Sequence, residues 1–177
     1  MTPITLLPLH LAMVLNVCDV MPELLRFDQK VVEVSGIVHG TSEVFQLEGD
    51  GCKRHFVTKG YRWQDALMLA FTDGYLGRRL AGKSIAFGFV SNKDSMKLLE
   101  RARERVKVDI SRRRIRVVVE GMILTGGVDY LVDTVFGPSS VDGFGHGGQA
   151  PAVLVIKEIK LVEVVNPKGE VLPEKRQ

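Results

Sequence analysis

The chain has 177 residues, enough for one domain of ordinary size. With 45% hydrophobic and 25% charged residues it reads as globular, and a formal net charge of +3 is too small for a polybasic chain. Two cysteines exclude a disulfide-dense scaffold, and 18 glycines suit a β-rich chain with many turns.

Residues 1–16 form an apolar N-terminal segment. Ile4 to Val17 contains no charged residue. The run fits a signal-peptide apolar core and is too short to cross a bilayer, so no transmembrane span is expected. No Lys or Arg precedes it, no A-x-A-like site follows, and Leu-Asn-Val-Cys is a poor lipoprotein box. The other reading is a segment packed onto the fold. Localisation stays open between cytoplasmic and periplasmic or secreted. Cys18 and Cys52 either remain free thiols or form one bridge, which requires an oxidising compartment.

Residues 17–165 form the domain proper. Residues 17–27, V-C-D-V-M-P-E-L-L-R-F, predict a short helix with Asp19 as N-cap, Pro22 in its first turn, and Leu24, Leu25 and Phe27 facing the core. A strand follows at 31–38, and 43–48 alternates as its hairpin partner before the turn Glu48-Gly49-Asp50-Gly51. His55–Thr58 reads as a further strand. The apolar run Ala66–Phe71 is of strand or buried-helix type, which periodicity does not separate. Residues 80–90 read as a strand, and 95–106 as the one substantial helix, capped by Asp94. Met96, Leu99, Ala102, Arg103 and Val106 share a face of it.

A second strand, 115–124, repeats the pattern of the first. Aligned on Gly36 and Gly121, each has valines two and four places before the glycine and an apolar pair after it. A glycine there predicts a bend or bulge, as small barrels need. Gly126-Gly127 then turns the chain into 128–135. Residues 137–151, with five glycines and two prolines, read as a long loop. A closing strand spans 153–165, and 166–177 is a polar tail. The expected fold is mainly β: an OB-like small β-barrel with one substantial helix and a short N-terminal helix.

The succession C-D-V-M-P-E, K-V-V-E-V-S-G and E-V-F-Q-L-E-G-D-G-C resembles a group of uncharacterised bacterial proteins with an OB-fold-like barrel. R-I-R-V-V-V-E-G and G-F-G-H-G-G-Q-A-P-A-V-L-V-I-K-E-I are similar to their later half. The likeness covers residues 17–60 and 112–165. The chain departs from it in Asp28-Gln29, where a glycine precedes the lysine, and in the charged helix 95–106. The resemblance implies a barrel fold and, for many members, export. It implies no activity.

Chemistry is sparsely signalled. His146 lies in the glycine-rich loop, where backbone approaches a ligand closely, with Phe144 as anchor and Gln149 beside it; these three are the expected ligand-binding residues. His10, His39 and His55 lack metal-ligand spacing, and no phosphate-binding loop or nucleophile elbow occurs, so neither metal nor cofactor is expected. Eight cations lie between Arg101 and Arg116, including Arg112, Arg113, Arg114 and Arg116. They could meet phosphates, but residues 90–129 hold no aromatic ring on which bases would stack. The expected function is a non-catalytic OB-like binding module for a protein or small ligand. The alternative is weak, salt-dependent nucleic-acid binding through residues 101–116.

Overall fold

The computed structural model describes residues 13–40, 45–58, 60–74, 80, 87–107, 113–125, 131–134, 137–140, 144 and 150–173. The elements are β1 (Leu15–Asn16), α1 (Val17–Val20) continued by a 3-10 segment (Met21–Phe27), β2 (Val31–Gly40) and β3 (Phe45–Glu48). Next come β4 (Val57–Thr58), β5 (Tyr61–Arg62), β6 (Ala66–Phe71) and α2 (Lys93–Lys107). The chain ends through β7 (Arg114–Thr125), β8 (Leu131–Thr134), β9 (Gly137–Ser140) and β10 (Ala152–Val165).

Five strands close into a barrel in the order β2-β3-β6-β10-β7, with β2 returning to pair with β7. Only the β6–β10 contact among these is parallel. This is the OB-like arrangement, with α2 in the connection between the third and fourth barrel strands. Alternation decides the faces. Ile115, Val117, Val119 and Ile123 of β7 point inward with Val34, Leu47, Leu67, Leu69, Leu154 and Ile156. Leu99 and Ala102 of α2 complete that core, so the amphipathic face read from the sequence packs against the barrel. Ala66–Phe71 resolves as a strand that is buried along its whole length.

A second apolar layer covers the outside of β6, β10 and the end of β7. Met68, Ala70, Leu124, Val153 and Val155 pack there with Leu80, Phe87, Phe144 and Ala150. Phe144 and Ala150 exchange two backbone hydrogen bonds of 2.9 Å. The stretch expected to be a structureless loop therefore holds both this bridge and β9, which pairs with β8. Of the described residues in the predicted strand 80–90, none is in a strand.

β10 is longer than its partner and carries two register shifts against β7, one between Ile156 and Glu158 and one between Ile159 and Leu161. Lys157 and Lys160 are the extra residues. Bulges bend a strand and free its backbone groups, and buried groups must find other partners. The segment leading into α2 supplies them. Ser91 Oγ donates to Ile156 O at 2.5 Å, Asn92 N donates to Lys157 O at 2.8 Å, and Ile159 N donates to Ser95 Oγ at 2.8 Å. Asn92 also accepts from Asp94 N at 3.0 Å, so it caps α2, while Asp94 sits in the first turn and pairs with Lys97. The N-terminal helix shows the same offset. Asn16, not Asp19, is its cap, and Asp19 reaches back to Asn16 N at 3.2 Å in a capping box. Leu24 is fully buried there, whereas Leu25 is exposed.

Cys18 and Cys52 are bridged, with Cα atoms 4.9 Å apart and a sequence separation of 34. Of the two open readings, the disulfide is therefore the one found. A loop of that length is worth roughly 3–4 kcal/mol by the chain-entropy model. The bridge crosses directly over Gly49, where an added Cβ would lie 2.4 Å from Cys52 Sγ and 2.7 Å from Cys18 Sγ. Leu15 and Asn16 belong to the fold as well, pairing in parallel with Val34 and Ser35. At the other end the tail turns back, with Leu172 N donating to Val164 O at 2.8 Å.

Neither repeated glycine has a positive φ. Both allow close approach. A Cβ at Gly121 would lie 2.4 Å from Val155 O, and one at Gly36 would lie 2.7 Å from Glu48 O and 2.9 Å from the Leu47 side chain. Both tightest contacts are backbone oxygens, but the one at Gly121 is the closer, 2.4 Å against 2.7 Å, so Gly121→Val should cost more than Gly36→Val, each on the order of 1–3 kcal/mol or above. Chemical denaturation measures this. Unchanged midpoints for both would contradict the close-approach role.

Candidate functional site

Polar chemistry on this barrel gathers in two places. The first follows from register. Glu33 of β2 lies opposite Glu120 of β7, which lies opposite Glu158 of β10. Three carboxylates in a row across neighbouring strands would repel one another. The bulge lysines offset that. Lys157 Nζ meets Glu120 at 2.5 Å, and Lys160 Nζ meets Glu120 at 2.8 Å, Glu158 at 3.5 Å and Glu33 at 3.8 Å. Glu120 is the most shielded of the set, its side chain 15% exposed. Its carboxyl is held below the usual glutamate range, first by the hydrogen bond from Lys157 and then by that from Lys160. Lys160 is raised in turn, chiefly by Glu120. Two lysines thus offset all but one of the three negative charges and tie the outer face of the closing strands together.

The second place is a groove of about 530 Å³ lined by Gln46, Glu48, Gly49, Arg62, Trp63, Gln64, Asp65 and Ala66. It lies on the outward face of β3 and the start of β6. Register assembles it. Glu48 pairs with Ala66, and Gln46 pairs with His39 of β2 across the other edge of β3. Gly49 N donates to Asp65 O at 2.9 Å, which ties the disulfide turn to the groove wall. Trp63 is buried, its indole N–H donating to Thr58 Oγ1 at 2.7 Å, and Tyr61 packs edge-on to it.

Each groove carboxylate has a histidine. His55 Nδ1 lies 2.9 and 3.0 Å from the two Asp65 oxygens, and both side chains are mostly shielded. Arg62 also approaches Asp65, with Nη2 at 3.6 Å from Oδ2. His39 Nε2 lies 3.5 Å from Glu48, a more exposed pair. An imidazole oriented by a carboxylate can serve as a base, but among the described residues the groove lining holds no hydroxyl or thiol for it to activate. Amides, carboxylates and a guanidinium at its surface are equipped to hydrogen-bond a polar ligand.

The residues expected from the sequence are placed elsewhere or lie outside the described residues. His146, Gln149 and Arg112 lie outside them. Phe144 is buried in the second apolar layer. Arg113 donates to Arg105 O at 3.1 Å, Arg114 pairs with Asp50 at 3.4 Å, and Arg116 pairs with Glu163 at 2.8 Å. Arg103 lies over the Phe45 ring at 4.8 Å. Among the described residues, no group of three or more His, Cys, Asp or Glu side chains is arranged to hold a metal ion. Sequence reasoning missed Gln46, Glu48, Arg62, Gln64 and Asp65. The run R-W-Q-D at 62–65, four bulky or polar groups directly before a buried strand, was the available signal. No protein-family model, curated protein or solved structure matches the chain.

Because the folded-state value of Glu120 is depressed, its contribution to stability is complete above the ordinary glutamate range. It is lost as pH falls through the folded value. Glu120→Gln should therefore be clearly less stable than the parent at neutral pH, and the difference should shrink as the solution is acidified. Denaturation midpoints across a pH series check this. A pH-independent difference would contradict it.

Proposed function

We propose that this chain is a non-catalytic OB-like binding module that holds a polar ligand in the groove on the outer face of β3 and β6. One observation carries the reading. The outer face of β6, β10 and the end of β7 is buried under the second apolar layer, and the polar groups in the middle of β2, β7 and β10 are taken up by the lysine–glutamate ladder. The groove is where planar polar side chains of separate segments converge on open volume. Gln46, Gln64, Glu48, Asp65 and Arg62 offer paired donors and acceptors on rigid backbone, which fixes the orientation of a bound polar group.

The disulfide supports an oxidising compartment. It agrees with the export that the resemblance to the bacterial barrel family implies, and membership of that family is part of the proposal. The nucleic-acid alternative draws less support. Arg113, Arg114 and Arg116 already have partners, and Trp63 is buried with its N–H engaged, so among these described residues a phosphate chain would find no unpaired cation and no open ring.

Amide-resolved NMR titration with short peptides, a neutral oligosaccharide and a single-stranded oligonucleotide tests the proposal. At least one probe should shift the amides around Gln46, Glu48, Gln64 and Asp65, and Gln64→Ala with Asp65→Asn should weaken that binding about tenfold or more. Shifts gathered on residues 113–116 with the oligonucleotide alone would favour the alternative. Silence of the groove towards all three probes would overturn the proposal.

A further inference from the structure

We infer that the groove takes a ligand bearing a cationic group, an ammonium or guanidinium, and that protonation of His39 and His55 releases it. The inference rests on the groove being the binding site and specifies the charge of its ligand. Two carboxylates line the groove, Glu48 and Asp65, and each is in contact with one histidine. The histidines come from different segments, His39 from β2 and His55 from the loop before β4. Two of the four histidines in the chain thus converge on the two acids among the described residues of one groove lining.

Charge gives the direction. With neutral imidazoles, the two carboxylates against Arg62 leave one net negative charge among the described residues of the lining. With both imidazoles protonated, the same set carries one net positive charge, and both carboxylates are engaged in ion pairs. Histidine is the side chain whose charge changes between about pH 5 and 8. The surrounding charges do not mask the change. Arg54, next to His55, faces Glu23 at 3.9 Å. Arg116, opposite Ile37 two places before His39, is held by Glu163, and Arg114 by Asp50. Gln46, the cross-strand partner of His39, is neutral. The shielded His55–Asp65 pair should carry most of the effect, since the exposed His39–Glu48 pair is screened by solvent.

The test is NMR titration of the full chain with tri-lysine, and with tri-serine acetylated at its N-terminus and amidated at its C-terminus as the uncharged control, at about pH 7.5 and about pH 5. Tri-lysine should bind the groove at the higher pH and weaken about tenfold or more at the lower. Tri-serine should show no such dependence. Saturating tri-lysine should also move the titration of the His55 ring to lower pH, because the ligand prefers the neutral imidazole. The pH dependence should fall away in His39→Gln/His55→Gln. His39→Gln alone, at an exposed site, and the ring titration of the parent keep the test valid if the double variant fails to fold. Equal tri-lysine affinity at both pH values would overturn the inference, as would a dependence that survives in a folded double variant. Groove shifts from tri-serine or the oligosaccharide, with none from tri-lysine at about pH 7.5, would overturn the cation preference while leaving the groove itself standing.

Discussion

The structure depends on how the backbone groups freed by two bulges in β10 are satisfied. A five-stranded barrel closes only if its long strands bend, and β10 bends by carrying Lys157 and Lys160 as unpaired extra residues against β7. Each bulge would leave polar backbone inside a core where water has no access. Ser91, Asn92 and Ser95 meet those groups, so the entry of α2 is fastened to the strand that closes the barrel. Ser91 reaches further. Its backbone N donates to Thr72 Oγ1 at 2.9 Å and its hydroxyl accepts from Thr72 N at 2.8 Å, which ties the end of β6 to the same point.

Several features follow from that fastening. Gly121 is glycine because Val155 O passes where its Cβ would be, one step from the first bulge. The bulges aim Lys157 and Lys160 at Glu120, which makes a row of three glutamates tolerable. β6 is held in parallel register by β10 and in antiparallel register by β3, and the groove lies along the β3–β6 seam. On the far side of that seam the disulfide pins the turn at Gly49. The binding surface therefore sits on backbone fixed from both directions, which reduces the ordering needed when a ligand binds.

The barrel was legible because one-sided burial imposes a period of two. The valines before Gly36 and Gly121 marked β2 and β7, and alternation marked β3. The bulges were written in the closing strand too. Its inward residues Leu154, Ile156, Ile159, Val162 and Val164 step by three twice where a regular strand steps by two. Asn16 and Asn92 were passed over as caps because an aspartate follows each within three residues. β9 was hidden because Gly137-Pro138-Ser139-Ser140 has turn composition, and pairing with β8 decides its state. The groove was illegible for a different reason. Its residues are outward-facing polar side chains from segments that meet only once Glu48 is in register with Ala66, and no local pattern encodes that meeting. His39 and His55 lack metal spacing because their partners are single carboxylates on other strands.

Native-state hydrogen exchange in the parent and in Ser91→Ala tests most directly whether the bulge fastening holds the barrel closed. If it does, removing one hydroxyl should speed exchange together at Thr72, in β10 around Ile156–Leu161 and in the facing residues of β7. The amides of β2 paired with β3 should keep their protection. Exchange in Ser91→Ala that matches the parent across β10 and β7 would contradict this, and so would loosening confined to the loop around residue 91.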